Sequence, residues 1–288
     1  SFGVPFSDEK VRYAFKLALP VILGVSVNQL NVICDKLIGS TLGSGSISSL
    51  NYGYMVTTVI HTVIVMSLVT VAYPSFAKIA QKNNVEQMKI IVYKVCSLIM
   101  SVLIPATVLF LAFADDIVKL LYQRGEFGQQ SVMMTSSTFF YYSFGLVAVG
   151  LREILVRVFY SFGNSKTPLY NSIFCVVVNV ALNFLLSPIF GIGGLALASS
   201  ISAILACGLL WVNQRRLFAD FFNVGKLFMF SIRIFVFSCI CYFTVSIIYQ
   251  NLLHITQYSN LAFVTSLFIG LFIYLLLVFF TKTLKKSD

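Results

Sequence analysis

The amino-acid sequence predicts an all-α, polytopic integral membrane protein with eight transmembrane helices. Of the 288 residues, 58% are hydrophobic and only 10% are charged, whereas soluble domains carry about 25% charged residues. The mean hydropathy is correspondingly high, at +0.91. Residues 167–214 and 234–281 contain no Asp, Glu, Lys or Arg. Each of these two stretches is long enough to cross a bilayer twice, because one spanning helix needs about 20 residues.

Turn-forming residues divide the apolar stretches into separate helices. The first uncharged stretch breaks at 187–194, where one proline and three glycines occur, and the second breaks near 250–260. A third uncharged stretch, 37–77, is interrupted by Gly-Ser-Gly-Ser at 43–46. Three further apolar runs supply one helix each. The expected helices, with boundaries soft by several residues, cover 17–39, 51–77, 90–114, 133–160, 168–189, 193–213, 228–250 and 260–281.

Basic residues are distributed unequally between the two sides of this expected bundle. Of the 20 Lys and Arg residues, 15 fall in or beside the connections and termini on one side. On the other side, Lys119 and Arg124 are offset by Asp115, Asp116 and Glu126. Basic residues favour the cytoplasmic side of a membrane, so both termini are expected to be cytoplasmic. An even number of helices agrees with this arrangement.

The composition also excludes several classes of function. So few charges cannot cover the surface of a water-soluble enzyme, and topology and anionic lipid account for the net charge of +10 without nucleic acid. The six cysteines lie in apolar runs, where Cys acts as a small hydrophobe. We find no catalytic constellation and expect no organic cofactor. The chain opens with Ser1 and lacks a signal-peptide pattern, so residues 1–10 are expected to be a cytoplasmic linker from a preceding segment.

A polar stripe in the first expected helix is the strongest candidate for function. Gly24, Asn28, Asn31 and Asp35 follow one another at spacings of four, three and four, which places them on one helical face. Ionisable groups inside a membrane are costly and are usually functional. The stripe therefore predicts a helix that lines a wet cavity, with Asp35 as an ion or proton site. The alternative is hydrogen bonding between helices, with Asp35 near the outer interface.

Two later helices offer oxygen atoms that suit a cation. Asn179 and Asn183 form an i, i+4 pair in the fifth helix, and Ser199 lies in the sixth. Together with Asp35 they would supply one carboxylate and several neutral oxygens. This combination suits a monovalent cation better than Ca²⁺.

The fourth helix carries the charged residues Arg152, Glu153 and Arg157. Glu153 and Arg157 are four residues apart and can form a structural ion pair. Arg152 lies deeper in the membrane, where an unpaired arginine would attract a phosphate. His61 in the second helix can titrate, but a lone histidine is more often a structural residue.

Several motifs resemble those of the MurJ/MviN family of lipid II flippases, in the multidrug/oligosaccharidyl-lipid/polysaccharide (MOP) superfamily. Residues 17–24 (LALPVILG) are similar to the family's seventh helix, and 45–52 (GSISSLNY) and 72–77 (AYPSFA) to its eighth. Residues 157–168 (RVFYSFGNSKTP) resemble the most specific family segment, and 194–200 (GLALASS) a later helix. The matches keep the family's order from about residue 11 to residue 213.

The resemblance implies the C-terminal half of a MOP-type flippase fold. Family members have fourteen helices, in two six-helix lobes plus two extra helices. The corresponding division is a six-helix C-terminal lobe at 11–215, followed by two additional transmembrane helices and a short cytoplasmic tail at 216–288. The N-terminal lobe, absent from this sequence, would be a partner within the same protein.

The resemblance also implies a function and a set of site residues. The full protein would flip a lipid-linked peptidoglycan precursor of the undecaprenyl-pyrophosphate type across the bacterial cytoplasmic membrane, in cell-wall biosynthesis and the maintenance of cell shape. Na⁺ or H⁺ would be the coupling ion, and the protein would not be an enzyme. A polysaccharide or O-antigen flippase, a multidrug or cation antiporter, and a membrane-embedded transferase remain alternatives. The sodium-type site of the family corresponds to Asp35, Asn179, Asn183 and Ser199, and the substrate cavity to Asn28, Asn31, Arg152, Glu153 and Arg157.

One position departs from the family pattern. Family members often carry a cavity arginine just after the motif that corresponds here to Asn51-Tyr52-Gly53, whereas this chain has Tyr54 and Met55. The departure puts pyrophosphate binding by this lobe in doubt.

Overall fold

The computed structural model describes residues 9–218, 224–255 and 259–281. Its regular elements in these ranges are α-helices and one short π-helix at His61–Met66. The predicted tail after residue 281 lies outside the described residues, and so does the predicted linker at 1–10 apart from residues 9 and 10. The helices are α1 (Glu9–Ser40), α2 (Ser46–Ile60), α3 (Ser67–Gln81), α4 (Val85–Ala112), α5 (Ala114–Tyr122), α6 (Gln129–Ser143), α7 (Leu146–Ser161), α8 (Lys166–Phe190), α9 (Ile192–Phe218), α10 (Val224–Ile255) and α11 (Ser259–Phe280).

The predicted count of eight transmembrane helices agrees with the spans in the described residues. Seven helical segments are long and apolar enough to cross a membrane, and the bent pair α6 and α7 makes an eighth. Apolar side chains such as Val71, Phe279 and Phe280 are more than 70% exposed on the outside of the bundle. Exposed apolar surface on this scale requires lipid around it. The chain is a multi-pass membrane protein.

The fourth span differs from its prediction as one helix over 133–160. The helix breaks between α6 and α7, whose axes are bent by 46°. At the break, the Gly145 N–H donates a 3.1 Å hydrogen bond to Ser200 Oγ on α9. A Cβ atom at Gly145 would lie only 2.9 Å from the Ser200 Cα atom. The glycine at the bend therefore lets α9 approach the junction of α6 and α7 closely.

Two further features were not predicted. The second span is longer than 51–77 because α2, the π-helix and α3 run continuously from Ser46 to Gln81. The amphipathic helix α5 follows the third span, with Val118 buried and Asp115 and Asp116 in its first turn. Acidic residues stabilise the first turn because the N-terminus of a helix is partially positive.

The apolar core lies around α4, which packs against α3, α7 and α10. The α10–α11 pair is attached to this core by aromatic contacts and hydrogen bonds. The Phe113 ring contacts the rings of Tyr242 and Phe263. Tyr274 donates to the Ser101 carbonyl oxygen, and Tyr249 donates to Asp116 Oδ1 at 3.1 Å. The last two helices therefore form an outer layer on α4, away from α1 and α8.

The connections define two ends of the bundle. The connections at 82–84 and 162–165 lie at one end, which we call the basic end because Lys78, Lys82 and Lys166 lie beside them. The connection at 41–45 and the Gly191 junction lie at the opposite end. Helices α1 and α8 run from the basic end to the opposite end. Polar residues at different positions along their axes therefore line one cavity.

Candidate functional site

A polar cavity of about 360 Å³ lies among α1, α2, α7, α8 and α9. It is separate from the apolar core around α4, and it brings together polar side chains from different helices. Seven of the predicted site residues line it, together with His61 and Ser172. The seven are Asn28, Asn31, Asp35, Arg152, Glu153, Asn179 and Ser199.

Asp35 is held at the end of this cavity that is nearer the opposite end. Its side chain is only 6% exposed. Asn183 Nδ2 donates to Asp35 Oδ1 at 2.6 Å. Ser199 Oγ donates to Oδ2 at 3.4 Å, and Asn31 Nδ2 lies 3.5 Å from the same oxygen. The α1 stripe therefore faces α8 and α9, and both carboxylate oxygens have donors.

The asparagine pair on α8 completes this group of residues. The Asn179 amide fits best with Nδ2 donating to Asp35 Oδ1 at 3.1 Å and to Asn31 Oδ1 at 2.9 Å, while its oxygen accepts from the Ser199 N–H at 3.1 Å. Asn183 is fully buried, and its Oδ1 has no hydrogen-bond partner among the described residues. We call Asn31, Asp35, Asn179, Asn183 and Ser199 the carboxylate cluster.

The carboxylate cluster combines one formal negative charge with neutral oxygen atoms. A buried carboxylate is stable only when it is well hydrogen-bonded or paired with a positive charge. An unpaired buried amide oxygen is similarly unfavourable. A small monovalent cation would satisfy both groups at once. In the described residues, no three His, Cys, Asp or Glu side chains come together as a metal site.

The predicted charged residues of α7 lie nearer the basic end. Arg152 is half-buried, and its Nη2 donates to Ser172 Oγ on α8 at 3.0 Å. Glu153 forms an ion pair with Arg157 at 3.9 Å. The Arg157 guanidinium lies 5.8 Å from the centre of the Tyr73 ring, and Arg157 does not line the cavity as Arg152 and Glu153 do. The two arginines therefore have different surroundings.

Sequence reasoning treated His61 as structural and missed Ser172. His61 is the first residue of the π-helix and lines the cavity beside the charges of Arg152 and Glu153. Ser172 lies in the same uncharged stretch as Asn179 and Asn183. The spacing of seven and then four residues among these three positions keeps them near one face of α8 and could have identified Ser172. The π-helix has no comparable sequence signal.

Most of the sequence matches a known protein family. The sequence model of the family described as "Lipid II flippase MurJ" matches residues 3–269. The chain belongs to the MurJ family. A protein from Buchnera aphidicola subsp. Baizongia pistaciae, named "Probable lipid II flippase MurJ", is 31% identical over 193 residues, which are 67% of this chain and 36% of that protein. A Treponema pallidum protein of the same name is 26% identical over 209 residues, or 73% of this chain and 40% of that protein.

Solved structures show the same fold. A MurJ lipid II flippase in an inward closed conformation has a TM-score of 0.78 at 22% identity, and the match covers 97% of this chain and 56% of that one. An outward-facing multidrug resistance MATE transporter of the MOP superfamily has a TM-score of 0.51 at 13% identity, with 96% of this chain and 67% of that one covered. The chain thus has the MurJ/MOP-like fold, and it spans about two fifths of the length of its curated MurJ relatives.

Proposed function

We propose that this chain is the C-terminal lobe, with two additional helices, of a lipid II flippase that works by alternating access. The observation that carries the proposal is a polar cavity inside an apolar bundle of the MurJ family. The pyrophosphate, sugars and peptide of such a precursor cannot cross hydrocarbon unaided, because burying unpaired polar and charged groups is too costly. A cavity lined by polar side chains removes that cost while the polyprenyl tail stays in lipid. On this proposal the protein is a transporter and not an enzyme.

The flipping activity would require a second lobe. The curated relatives extend well beyond the region that this chain matches. We place the six-helix lobe at 11–215 and the additional helices at 216–288, with the other lobe supplying the opposite wall of the cavity. Rocking of one lobe against the other would open the cavity to each side of the membrane in turn.

The asymmetry of basic residues gives the orientation of the proposed flippase. Lys78, Lys82 and Lys166 lie at the basic end, where the positive-inside rule places the cytoplasm. Lipid-linked precursors would then enter from the cytoplasmic leaflet of the bacterial inner membrane. Both ends of this segment would be cytoplasmic.

The carboxylate cluster would bind the coupling ion, Na⁺ or H⁺. Its contacts bring α1 together with α8 and α9 around Asp35. An ion that binds one arrangement of these helices more tightly than another shifts the equilibrium between them by that difference in affinity. The unpaired Asn183 Oδ1 supports a cation at this position in preference to a purely structural hydrogen-bond network.

Of the remaining predicted residues, Asn28, Asn31, Arg152 and Glu153 line the cavity and would serve the substrate directly. Arg157 would act on it only through its ion pair with Glu153. Asn28 and Asn31 provide uncharged hydrogen-bonding groups on α1, as a sugar or peptide requires. Arg152 provides a positive charge within the cavity. Glu153 and Arg157 form an ion pair beside it.

The proposal is tested by rescue of a bacterium depleted of its own lipid II flippase. We expect the full-length protein to restore growth and cell shape, and Asp35→Ala to abolish the rescue although the protein still reaches the membrane. Glu86→Gln, at an exposed carboxylate on α4 that pairs with Lys89, is the matched control and should rescue fully. Failure of the intact protein to rescue would contradict the lipid II assignment. Rescue that Asp35→Ala leaves unchanged would contradict only the ion role.

A further inference from the structure

We infer that Tyr54, together with Asn28 and Asn51, forms a subsite that binds the sugar rings of the lipid-linked substrate. The inference rests on the proposed flippase function and identifies which part of the substrate this wall of the cavity binds. The three residues come from α1 and α2, and all three line the polar cavity. We call them the sugar subsite.

Tyr54 provides the aromatic surface of the sugar subsite. Its side chain lines the cavity and is 54% exposed. The face of an aromatic ring is partially negative and its edge is partially positive. The C–H groups on the flat face of a sugar ring are apolar and weakly positive, so they pack against an aromatic face. An open tyrosine in a polar cavity therefore suits a ligand that is apolar on its face and polar at its rim.

The ring of Tyr54 is held in place by its neighbours. The Tyr142 ring makes an edge contact with it, with 5.6 Å between the ring centres and an angle of 62° between the ring planes. Ser200 Oγ donates to the Tyr142 carbonyl oxygen at 3.2 Å and anchors that residue to α9. A Cβ atom at Gly53 would lie 2.9 Å from the Phe139 backbone nitrogen, so α2 packs closely against α6 beside Tyr54. A surface that is fixed in advance loses less conformational freedom when a ligand binds.

Two asparagines supply the polar contacts of the sugar subsite. Asn28 and Asn51 are exposed and line the cavity. Each amide has one acceptor oxygen and two N–H donors, which suits sugar hydroxyl and acetamido groups because these groups also donate and accept. Asn28 lies twelve residues before Ser40, the last residue of α1, and therefore about 18 Å from that end of the helix. An amide exposed to lipid at this depth would be costly, so a polar ligand or water must meet it.

The charge of this wall favours a neutral ligand over the diphosphate or the charged ends of a peptide. Helix α2 contains no Asp, Glu, Lys or Arg between Ser46 and Ile60. On α1, the two charged residues that line the cavity are Asp35 and Lys36, which have opposite signs. The wall formed by α1 and α2 therefore has no net formal charge. A phosphate or a carboxylate would instead be bound most strongly by positively charged donors.

The test measures binding of three lipids to the full-length protein in detergent by native mass spectrometry. The lipids are undecaprenyl diphosphate, the same lipid carrying the disaccharide without the peptide, and lipid II. We expect the disaccharide to raise the affinity of the intact protein about tenfold over undecaprenyl diphosphate, through ring stacking and hydrogen bonds. Tyr54→Ala should lower the affinity for both sugar-bearing lipids about fivefold, as one aromatic contact predicts, and leave the affinity for undecaprenyl diphosphate unchanged. Tyr54→Phe should keep most of the gain, and Asn51→Ala should lose about twofold.

Tyr170→Ala is the matched control. Tyr170 is 66% exposed on α8 but lies outside the cavity lining, so all three affinities should stay unchanged. An equal loss for all three lipids in Tyr54→Ala, or no loss for any of them, would overturn the sugar subsite. A loss confined to lipid II would show that the tyrosine contacts the peptide and would overturn the choice of ligand.

The proposed function has a separate readout. Failure of the intact protein to flip lipid II in liposomes would overturn the flippase proposal. A protein that flips lipid II but gains no affinity from the disaccharide would overturn only the sugar subsite. If Tyr54→Ala does not fold, Tyr54→Leu tests the same point, because it keeps an apolar side chain without the aromatic ring and should show the same loss.

Discussion

Asp35 is 6% exposed and has hydrogen-bond donors from three helices, whereas Arg152, in the same cavity, is half-buried and makes one hydrogen bond to Ser172. Helix α8 contributes to both regions. Ser172 and Asn183 are eleven residues apart on it, which is about 16 Å along the helix axis. The carboxylate cluster is enclosed by its own donors, and the Arg152 guanidinium has N–H donors beyond the one that bonds to Ser172.

On the proposed function, this difference would let one lobe bind two ligands of opposite charge. A small cation needs a compact set of oxygen atoms and fits between packed helices. A phosphate on a large substrate needs donors that reach open space, since the rest of the substrate must stay in the cavity. The separation along α8 keeps the acidic and basic groups from neutralising each other.

The largest effect is expected from removing the charge of the carboxylate cluster. Asp35→Asn keeps the size of the side chain but not its charge, and we expect lipid II flipping in Na⁺-containing liposomes to fall about hundredfold, near the upper range of coupling between two sites. Residual flipping should no longer respond when Na⁺ is replaced by choline. A variant that keeps both its rate and its Na⁺ response would show that the cluster is structural.

A smaller loss is expected when the unpaired oxygen of Asn183 is removed. Asn183→Ala deletes Asn183 Oδ1 and one donor to Asp35. We expect the Na⁺ concentration for half-maximal flipping to rise about tenfold, with little change in affinity for undecaprenyl diphosphate. Asn251→Ala, at an exposed asparagine near the end of α10, is the control. A change in lipid affinity without a change in Na⁺ dependence would reverse the assignment of the two regions.

The seam between α7 and α9 tests whether the two regions depend on the same packing. A Cβ atom at Gly145 would lie 2.9 Å from the Ser200 backbone, while a Cβ atom at Gly208 on α9 would meet nothing within 4 Å. We expect Gly145→Ala to lower stability by about 1–3 kcal/mol, and Gly208→Ala not to lower it. Thermal unfolding in detergent measures both. Because Ser200 adjoins Ser199, Na⁺ dependence should also weaken in Gly145→Ala. Equal unfolding temperatures for the two variants would contradict the close approach.

The smallest effect is expected at Ser172. Ser172→Ala removes the hydrogen bond that holds Arg152 against α8, and this bond should contribute about 1 kcal/mol to lipid affinity. Titration with undecaprenyl diphosphate should show a several-fold loss, less than for Arg152→Gln. A loss equal to that of Arg152→Gln would mean that the serine itself contacts the ligand.

The members of the carboxylate cluster could be predicted from the sequence, whereas the surroundings of Arg152 could be predicted only in part. Spacings of four residues aligned Asn31 with Asp35 and Asn179 with Asn183 on their helices, and the scarcity of charge in the spans marked Asp35. The structure brings these stripes together across α1, α8 and α9. Whether a cation binds there stays a prediction.

The features that sequence reasoning did not find depend on contacts between distant residues. The break at Gly145 depends on Ser200, 55 residues away in sequence. The partner of Arg152 is Ser172 on another helix. The π-helix at His61–Met66 has no spacing that separates it from an ordinary helix. Local periodicity predicts which face of a helix is polar but not which residue of another helix it meets.

The separation of the two regions is tested most directly by measuring both ligands on the same three proteins. Na⁺ dependence of flipping and affinity for undecaprenyl diphosphate would be determined for the full-length protein, Asp35→Asn and Arg152→Gln. We expect Asp35→Asn to lose Na⁺ dependence and keep lipid affinity, and Arg152→Gln to lose lipid affinity and keep Na⁺ dependence. Loss of both properties in both variants would contradict two separate regions in this cavity.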